Sequence, residues 1–392
     1  MKILMLSDVY FPRVNGVSTS IRTFRRALIA QGHEVCLIAP RYSEDDTVED
    51  DLLRIPARRV IVDPEDRMMR VGAVLALTET LRARRFDLIH VQTPFVAHWL
   101  GVRLGRRLGL PVVESYHTFF EEYLFHYLPW LPREWSRAAA RRFSRTQCNE
   151  LDALVVPSQA MLDVLRGYGV AAAAQVIPTG LEPGALRPGD GAAFRRRHGI
   201  ATERPLLVHI GRVAHEKNID FLLHMLAVLR RQLSEVLLVI AGEGPAREHL
   251  RRLSNRLGLE QHVLFVGYLD RGHDLPDCYC AGDAFVFASR TETQGLVLLE
   301  AMSLGVPVVS TAVMGTRDIV GQARGALVAE EDVEHFAGQC ARLLGDASLR
   351  RRLADEAVDF AGEWSAAAMA TALAEFYATR LPVSARVALA EG

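Results

Sequence analysis

Short apolar, β-branched runs alternate with helical patterns along almost all of this 392-residue chain, in two series separated by a stretch of turn residues. Such alternation constrains the fold strongly. Parallel neighbours in a sheet need long crossovers, and the crossover helices cover both faces. The first series predicts strands at 3–6, 34–38, 87–91, 111–115, 153–156 and 175–177, with 52–55 as an edge strand. The second predicts strands at 205–210, 236–240, 262–266, 284–288, 307–310 and 326–328, and from about Leu349 the pattern is helical. Between the series, 178–191 is rich in Pro and Gly and short of apolar periodicity. The expected architecture is α/β, with two Rossmann-like doubly wound parallel sheets. The domains are placed at 1–182 and at 183–363, followed by a helical segment in 364–392.

Ligands of open parallel sheets bind beyond the carboxyl ends of the strands, so the informative residues should lie in strand-to-helix loops. Composition narrows the ligand little. A chain 49% hydrophobic and 24% charged supports two cores, and a net charge of −1 argues against a globally basic nucleic-acid binder, so no nucleic-acid partner is expected. The first residues run straight into a strand pattern, and no apolar run reaches the eighteen or so residues of a membrane span, which suggests a cytoplasmic protein at most peripheral to a membrane. Five cysteines without C-x-x-C pairs read as reduced and mostly buried.

The richest segment is Thr291-Glu292-Thr293-Gln294-Gly295-Leu296-Val297-Leu298-Leu299-Glu300. Two carboxylates eight residues apart flank a glycine. A helix starting at or just after Gly295 would leave Glu292 in the loop and Glu300 about two turns on, with the free N–H groups and partial positive charge of its N-terminus facing whatever the loop encloses. An anion site between two hydroxyl-binding carboxylates suits a nucleoside diphosphate sugar. At the second series' first turn, Arg212 and Lys217 offer a planar fork and a point charge for a diphosphate. No Asp-x-Asp is present to bridge a metal to a nucleotide, so neither metal nor cofactor is expected. Gly242, Gly267 and Tyr268 follow strands and would shape the nucleotide pocket.

In the first series the opening loop lacks G-x-G-x-x-G, which argues against a dinucleotide site, while Asn15-Gly16 followed by Ser and Thr suits backbone approach to a ligand and then a helix cap. His117 stands at the end of a strand, within reach of chemistry. The run 119–132 concentrates aromatics, Trp130 among them, and Pro129 and Pro132 interrupt regular structure. The next helix carries Arg133, Arg137, Arg141 and Arg145 at intervals of four, so they share a face. Each basic residue near an anionic leaflet is worth about 1 kcal/mol. Aromatic run and stripe together therefore suggest reversible binding to an anionic membrane.

Gly211-Arg212 with Lys217-Asn218, the Glu292 to Glu300 spacing, Gly295-Leu296 and Glu300-Ala301-Met302 resemble the donor site of glycosyltransferase family 4, the retaining transferases of the GT-B fold. The resemblance implies that Arg212 and Lys217 hold the diphosphate, Glu292 the donor sugar hydroxyls and Glu300 the ribose. It further implies that Gly16 sits against the phosphates, that Thr293, Gly295 and Leu296 line the donor site, that His117 lies beside the reacting sugar, and that the helix in 364–392 crosses back to the first domain. Gln294 stands where family members commonly have Phe, and Met314-Gly315 where they have Gly-Gly. The segments around His117, Gly16 and Glu292 are closest to bacterial diacylglycerol glucosyltransferases and related GDP-mannose-dependent mannosyltransferases. This implies a nucleotide-sugar donor, UDP-glucose favoured over GDP-mannose, and a lipid acceptor such as diacylglycerol at the inner face of the cell membrane. A nucleotide-sugar 2-epimerase, or a binding module without activity, is the rival reading.

Overall fold

The computed structural model describes residues 1–43, 51–59, 67–117, 133–182, 184 and 186–381, with backbone alone for Arg133 and Ser136. The aromatic run 119–132, with Trp130, and the tail after residue 381 lie outside the described residues. The chain divides into two compact units, Met1–Gly180 with Ala366–Gly392, and Leu181–Ser365. Each end of the second unit is fastened to the other, since Leu181 N–H donates to the Trp364 carbonyl at 2.7 Å.

The first unit contains β1 (Lys2–Leu6), β2 (Glu34–Pro40), β3 (Leu52–Ile55), β6 (Leu88–Val91), β7 (Val112–Ser115), β8 (Ala153–Val156) and β9 (Ala173–Val176), all parallel, in the order β3-β2-β1-β6-β7-β8-β9. Between β3 and β6 come β4 (Ala57–Arg59) and β5 (Arg67–Met69), a small antiparallel pair absent from the sequence expectation. These segments are arginine-rich and largely exposed, so they carry none of the apolar signal that marks buried strands. The helix Gly16–Ala30 starts with a reciprocal cap: Asn15 Oδ1 accepts from Ser18 N–H at 2.8 Å, and Ser18 Oγ accepts from Asn15 N–H at 2.9 Å. It packs on the sheet beside the last helix, Ala366–Arg380, whose Leu373, Phe376 and Tyr377 join Ile3, Met5, Phe24 and Val113 in one core.

The second unit holds β10 (Leu206–Ile210), β11 (Leu237–Ala241), β12 (Val263–Gly267), β13 (Ala284–Phe287), β14 (Val308–Thr311) and β15 (Ala326–Ala329), parallel in the order β12-β11-β10-β13-β14-β15. Alternate residues feed two cores. Leu206, Val208 and Ile210 belong to one, and Leu207, Leu238 and Ile240 to the other, as expected of a sheet covered on both faces. Strand order reverses between β1 and β6 in the first sheet and between β10 and β13 in the second. At such switch points successive crossovers leave to opposite faces, so the loops at the carboxyl ends part and open a crevice. The loop after β10 carries Arg212 and Lys217, and the loop after β13 carries Glu292.

Candidate active site

The second unit brings Arg212, Lys217 and Glu292 onto two adjoining loops. Lys217 ends a single 3₁₀ turn, His215–Lys217, and its Nζ donates to Glu292 Oε2 at 2.5 Å, with both side chains about four-fifths buried. Asn218, in the left-handed conformation at φ 57°, donates its amide to the Ala288 carbonyl at 3.1 Å, which fixes the same two loops a second time. Arg212 is more exposed and lies 3.7 Å from Glu216. Arg212 and Lys217 thus each have a carboxylate neighbour, which a diphosphate bound there would have to share or replace.

Glu292 leads into Gly295, which sits at φ 100° as the N-cap of the helix Leu296–Ser303. Among the described residues no side chain caps that end, so it keeps the positive end of a helix terminus, with Leu298 N–H already bonded to the Gly295 carbonyl at 2.9 Å. The approach to it is shaped by another turn: Gly315 N–H donates to the Glu292 carbonyl at 2.9 Å, and a Cβ on Gly315 would come within 2.1 Å of the Thr293 carbonyl oxygen. Met314, at φ 53°, occupies a conformation that favours glycine.

Glu300 lies one turn into this helix, not the two expected, because the helix begins only after Gly295, and it is almost fully buried. Its Oε2 accepts from the Tyr279 hydroxyl at 2.9 Å and its Oε1 from Arg271. Burial and the adjacent carboxylate raise the Tyr279 hydroxyl well above its usual pKa, so it remains a donor. A diol meeting Glu300 would therefore share a carboxylate already oriented by two donors. Sequence reasoning overlooked Arg271 and Tyr279 because they are 29 and 21 residues away and belong to no motif.

The remaining predicted donor residues divide. Gly242 and Gly244 allow one loop to lie on another. A Cβ on Gly242 would be 1.9 Å from the Gly211 oxygen and one on Gly244 2.3 Å from the Val213 oxygen, both in the loop bearing Arg212. The role of Gly242 visible in the structure is thus to seat the Arg212 loop. Gly267 takes φ 76°, a Cβ there would meet Glu243 Oε1 at 2.9 Å, and Tyr268 beside it is exposed. In the first unit Gly16 is exposed, and a Cβ on it would meet nothing within 4 Å. His209, near the end of β10, was also overlooked. It is fully buried with Nδ1 3.1 Å from the Val286 carbonyl, its Nε2 has no hydrogen-bond partner among the described residues, and burial lowers its pKa to about 4.

His117 is half-buried just past β7, with Nε2 3.4 Å from Gln92 Oε1, and burial lowers its pKa to about 4. Of the arginine stripe, Arg137, Arg141 and Arg145 are exposed on the helix Arg133–Asn149, which turns Ala140, Ser144 and Cys148 inward. The Arg141 guanidinium lies 5.5 Å from the centre of the Tyr168 ring, so the stripe is partly engaged within the protein. The structure adds aromatics that the sequence reading did not single out. Trp135 and Phe143 are exposed on this helix, and Phe95 and Trp99 are exposed at the start of the helix Val96–Leu108. Gln147 Nε2 donates to the Pro94 carbonyl at 2.8 Å and so joins the two regions. Among the described residues no helix is long and apolar enough to cross a membrane. Among the described residues, His215, Asp220 and His249 place potential ligand atoms within 4.8 Å of one another. His249 and Asp220 are already paired at 2.6 Å.

Two switch-point sheets and a loop-held cation and carboxylate ahead of a helix define a GT-B glycosyltransferase. Solved structures agree on the fold: Anabaena HepE in complex with UDP superposes with a TM-score of 0.77 at 19% identity, covering 97% of this chain and 100% of that one. Sucrose-phosphate synthase from Thermosynechococcus elongatus superposes with a TM-score of 0.77 at 21% identity, covering 96% and 98%. The family described as Glycosyltransferase Family 4 matches residues 14–184, and that described as Glycosyl transferases group 1 matches residues 190–359. An alpha-monoglucosyldiacylglycerol synthase of Streptococcus pneumoniae is 31% identical over 360 residues, 86% of this chain and 80% of that protein. A GDP-mannose-dependent alpha-(1-6)-phosphatidylinositol dimannoside mannosyltransferase of Mycobacterium tuberculosis is 29% identical over 334 residues, 83% of each. The chain belongs to glycosyltransferase family 4 and is a hexosyltransferase.

Proposed function

We propose that this enzyme moves glucose from UDP-glucose to diacylglycerol, or a closely similar lipid alcohol, with retention at the anomeric carbon and without a metal. The observation that carries the choice of substrates is the likeness to the Streptococcus pneumoniae synthase, whose name states a glucosyl diacylglycerol product. The Lys217–Glu292 pair ahead of the helix Leu296–Ser303 supports the chemistry. In the proposed reaction the bond from the anomeric carbon to the diphosphate oxygen breaks on the face where the acceptor hydroxyl attacks. The acceptor oxygen then forms the new glycosidic bond, and its proton passes to the departing diphosphate. Arg212, Lys217 and the helix N-terminus stabilise the charge that develops on the leaving group, and electrostatic stabilisation of this kind is commonly the largest catalytic contribution. Glu292 orients the sugar, Glu300 the ribose, and His117 stands beside the reacting sugar.

The alternative is GDP-mannose with a lipid or glycan acceptor, supported by the mannosyltransferase relative. A panel of UDP-glucose, UDP-GlcNAc and GDP-mannose, each with and without dioleoylglycerol in mixed micelles, separates the readings. Glucosyl lipid from UDP-glucose is the expected product. Mannosyl lipid from GDP-mannose alone would establish the alternative, and conversion of UDP-GlcNAc without acceptor would mark an epimerase.

A further inference from the structure

Two histidines and an aspartate meet beside the turn that carries Lys217. His215 opens that 3₁₀ turn, Asp220 lies in the first turn of the helix Ile219–Leu229, and His249 lies in the helix Arg247–Arg256. His249 Nε2 is 2.6 Å from Asp220 Oδ2, and the His215 and His249 ring centres are 5.4 Å apart. One ligand atom from each of the three residues falls within 4.8 Å of the others. His215 is exposed and the other two are half-buried, so an ion can reach them from solvent.

The donor set selects the kind of ion. Mg²⁺ and Ca²⁺ take oxygen ligands, whereas two imidazoles and a carboxylate suit zinc and its neighbours in the first transition row. Ligand atoms around a tetrahedral zinc ion, at bonds of about 2.0 to 2.2 Å, stand roughly 3.3 Å from one another. The separations here, 2.6 Å for one pair and within 4.8 Å for the rest, lie to either side of that value, so rotation of solvent-accessible side chains suffices to close the set. None of the three is committed elsewhere. Among the described residues the His215 side chain makes no hydrogen bond, and those of His249 and Asp220 bond only to each other.

We propose that His215, Asp220 and His249 form a binding site for a divalent transition ion, zinc above all, which staples the Lys217 turn to two helices of the second unit. The ion takes the place of the hydrogen that His249 and Asp220 share, and His215 completes three protein ligands, leaving a fourth position for water. Structural zinc sites fill all four positions with protein groups, so this one exchanges its ion and adds to the stability of the fold without being a condition for it. The site is separate from the donor chemistry, since Lys217, two residues on, gives its ammonium to Glu292. The stripped enzyme therefore keeps its turnover, and the ion acts on the stability of the unit that carries the turn.

The test uses the full-length chain, freed of any affinity tag, stripped with EDTA and dialysed. Zn²⁺ should bind at one equivalent in calorimetric titration and raise Tm by about 2 °C or more, and Mg²⁺ should do neither. Co²⁺, used as a spectroscopic probe, should develop the visible bands of nitrogen-ligated cobalt. His215→Ala removes an exposed ligand and should weaken zinc binding roughly tenfold or more, at least the loss that even an outer-shell partner causes. Its Tm without metal and its UDP affinity should remain those of the wild type. Asp220→Asn should lose zinc in the same way, and His249→Gln takes its place should it fail to fold. Equal zinc affinity in the wild type and these variants would overturn the proposal and assign the ion to other histidines of the surface. A Tm that zinc does not move would overturn the staple as well.

Discussion

Lys217 and Glu292 are 75 residues apart in sequence and 2.5 Å apart in the fold, each supplied by a loop at the switch point of the second sheet. The pair keeps an ammonium and a carboxylate in register before any donor arrives. Turnover should therefore depend on both groups and on their coupling. Lys217→Ala and Glu292→Gln should each lower kcat/KM by about 2 to 4 kcal/mol of transition-state stabilisation. The double variant should fall short of the sum by at least about 0.5 kcal/mol, as expected for residues in contact. Activity should survive excess EDTA. A strict requirement for a divalent ion at the chemical step, or strict additivity, would contradict this account.

Glu300 presents the opposite arrangement, a buried carboxylate held by Arg271 and Tyr279. Glu300→Gln should weaken UDP binding roughly tenfold or more, the scale of a hydrogen bond to a charged group, and change kcat less. Arg271→Ala leaves that carboxylate without its cation and should destabilise the fold by about 3 kcal/mol. Calorimetric titration with UDP and thermal unfolding read the two effects. Equal UDP affinity in Glu300→Gln and the wild type would remove Glu300 from the ribose site.

Asp8 accepts from the Ala97 N–H and from Thr93 Oγ at 2.9 Å, and so serves the start of the helix Val96–Leu108 from a distant loop. Burial raises its pKa from 3.8 to about 7 against these bonds. In that window the folded state keeps a proton that the unfolded chain releases, so the contribution to stability is full below the unfolded pKa and is lost as pH rises through about 7. His90 and His117, held neutral, act in the opposite sense at acid pH in both proteins. The difference between wild type and Asp8→Asn isolates the aspartate. The advantage of the asparagine variant in Tm should grow from about pH 5 to about pH 8, and parallel curves would refute the assignment.

Arg137, Arg141 and Arg145 share a region of the first unit with exposed Trp135, Phe143 and Trp99. The enzyme is expected to pellet with vesicles containing phosphatidylglycerol and to be released as salt shortens the Debye length from about 10 Å at 0.1 M to about 3 Å at 1 M. Changing the three arginines to glutamate should abolish pelleting without altering UDP affinity. Trp135→Ala should weaken it in proportion to the interfacial area lost. Equal pelleting of wild type and triple variant, or no preference for anionic over neutral vesicles, would reduce the stripe to a solvated face.

The sequence by itself determined the two sheets, because buried parallel strands must be short, apolar and separated by crossover helices. The expected strands from Lys2–Leu6 to Ala326–Ala329 appear within a residue or two. It also determined the loops that carry Arg212, Lys217, Glu292 and His117, since chemistry in such sheets collects at strand ends. Only the tertiary structure decided which of these residues meet. Lys217 finds Glu292, Arg271 and Tyr279 take Glu300, Gly242 seats the Arg212 loop, and Tyr377 reaches His90 from 287 residues away. The physical reason is range. Periodicity, capping and turn chemistry act over a few neighbours, so they leave a trace in sequence. The partner of a buried charge or hydroxyl is chosen by packing between elements far apart in the chain, where one sequence carries no sign of the pairing.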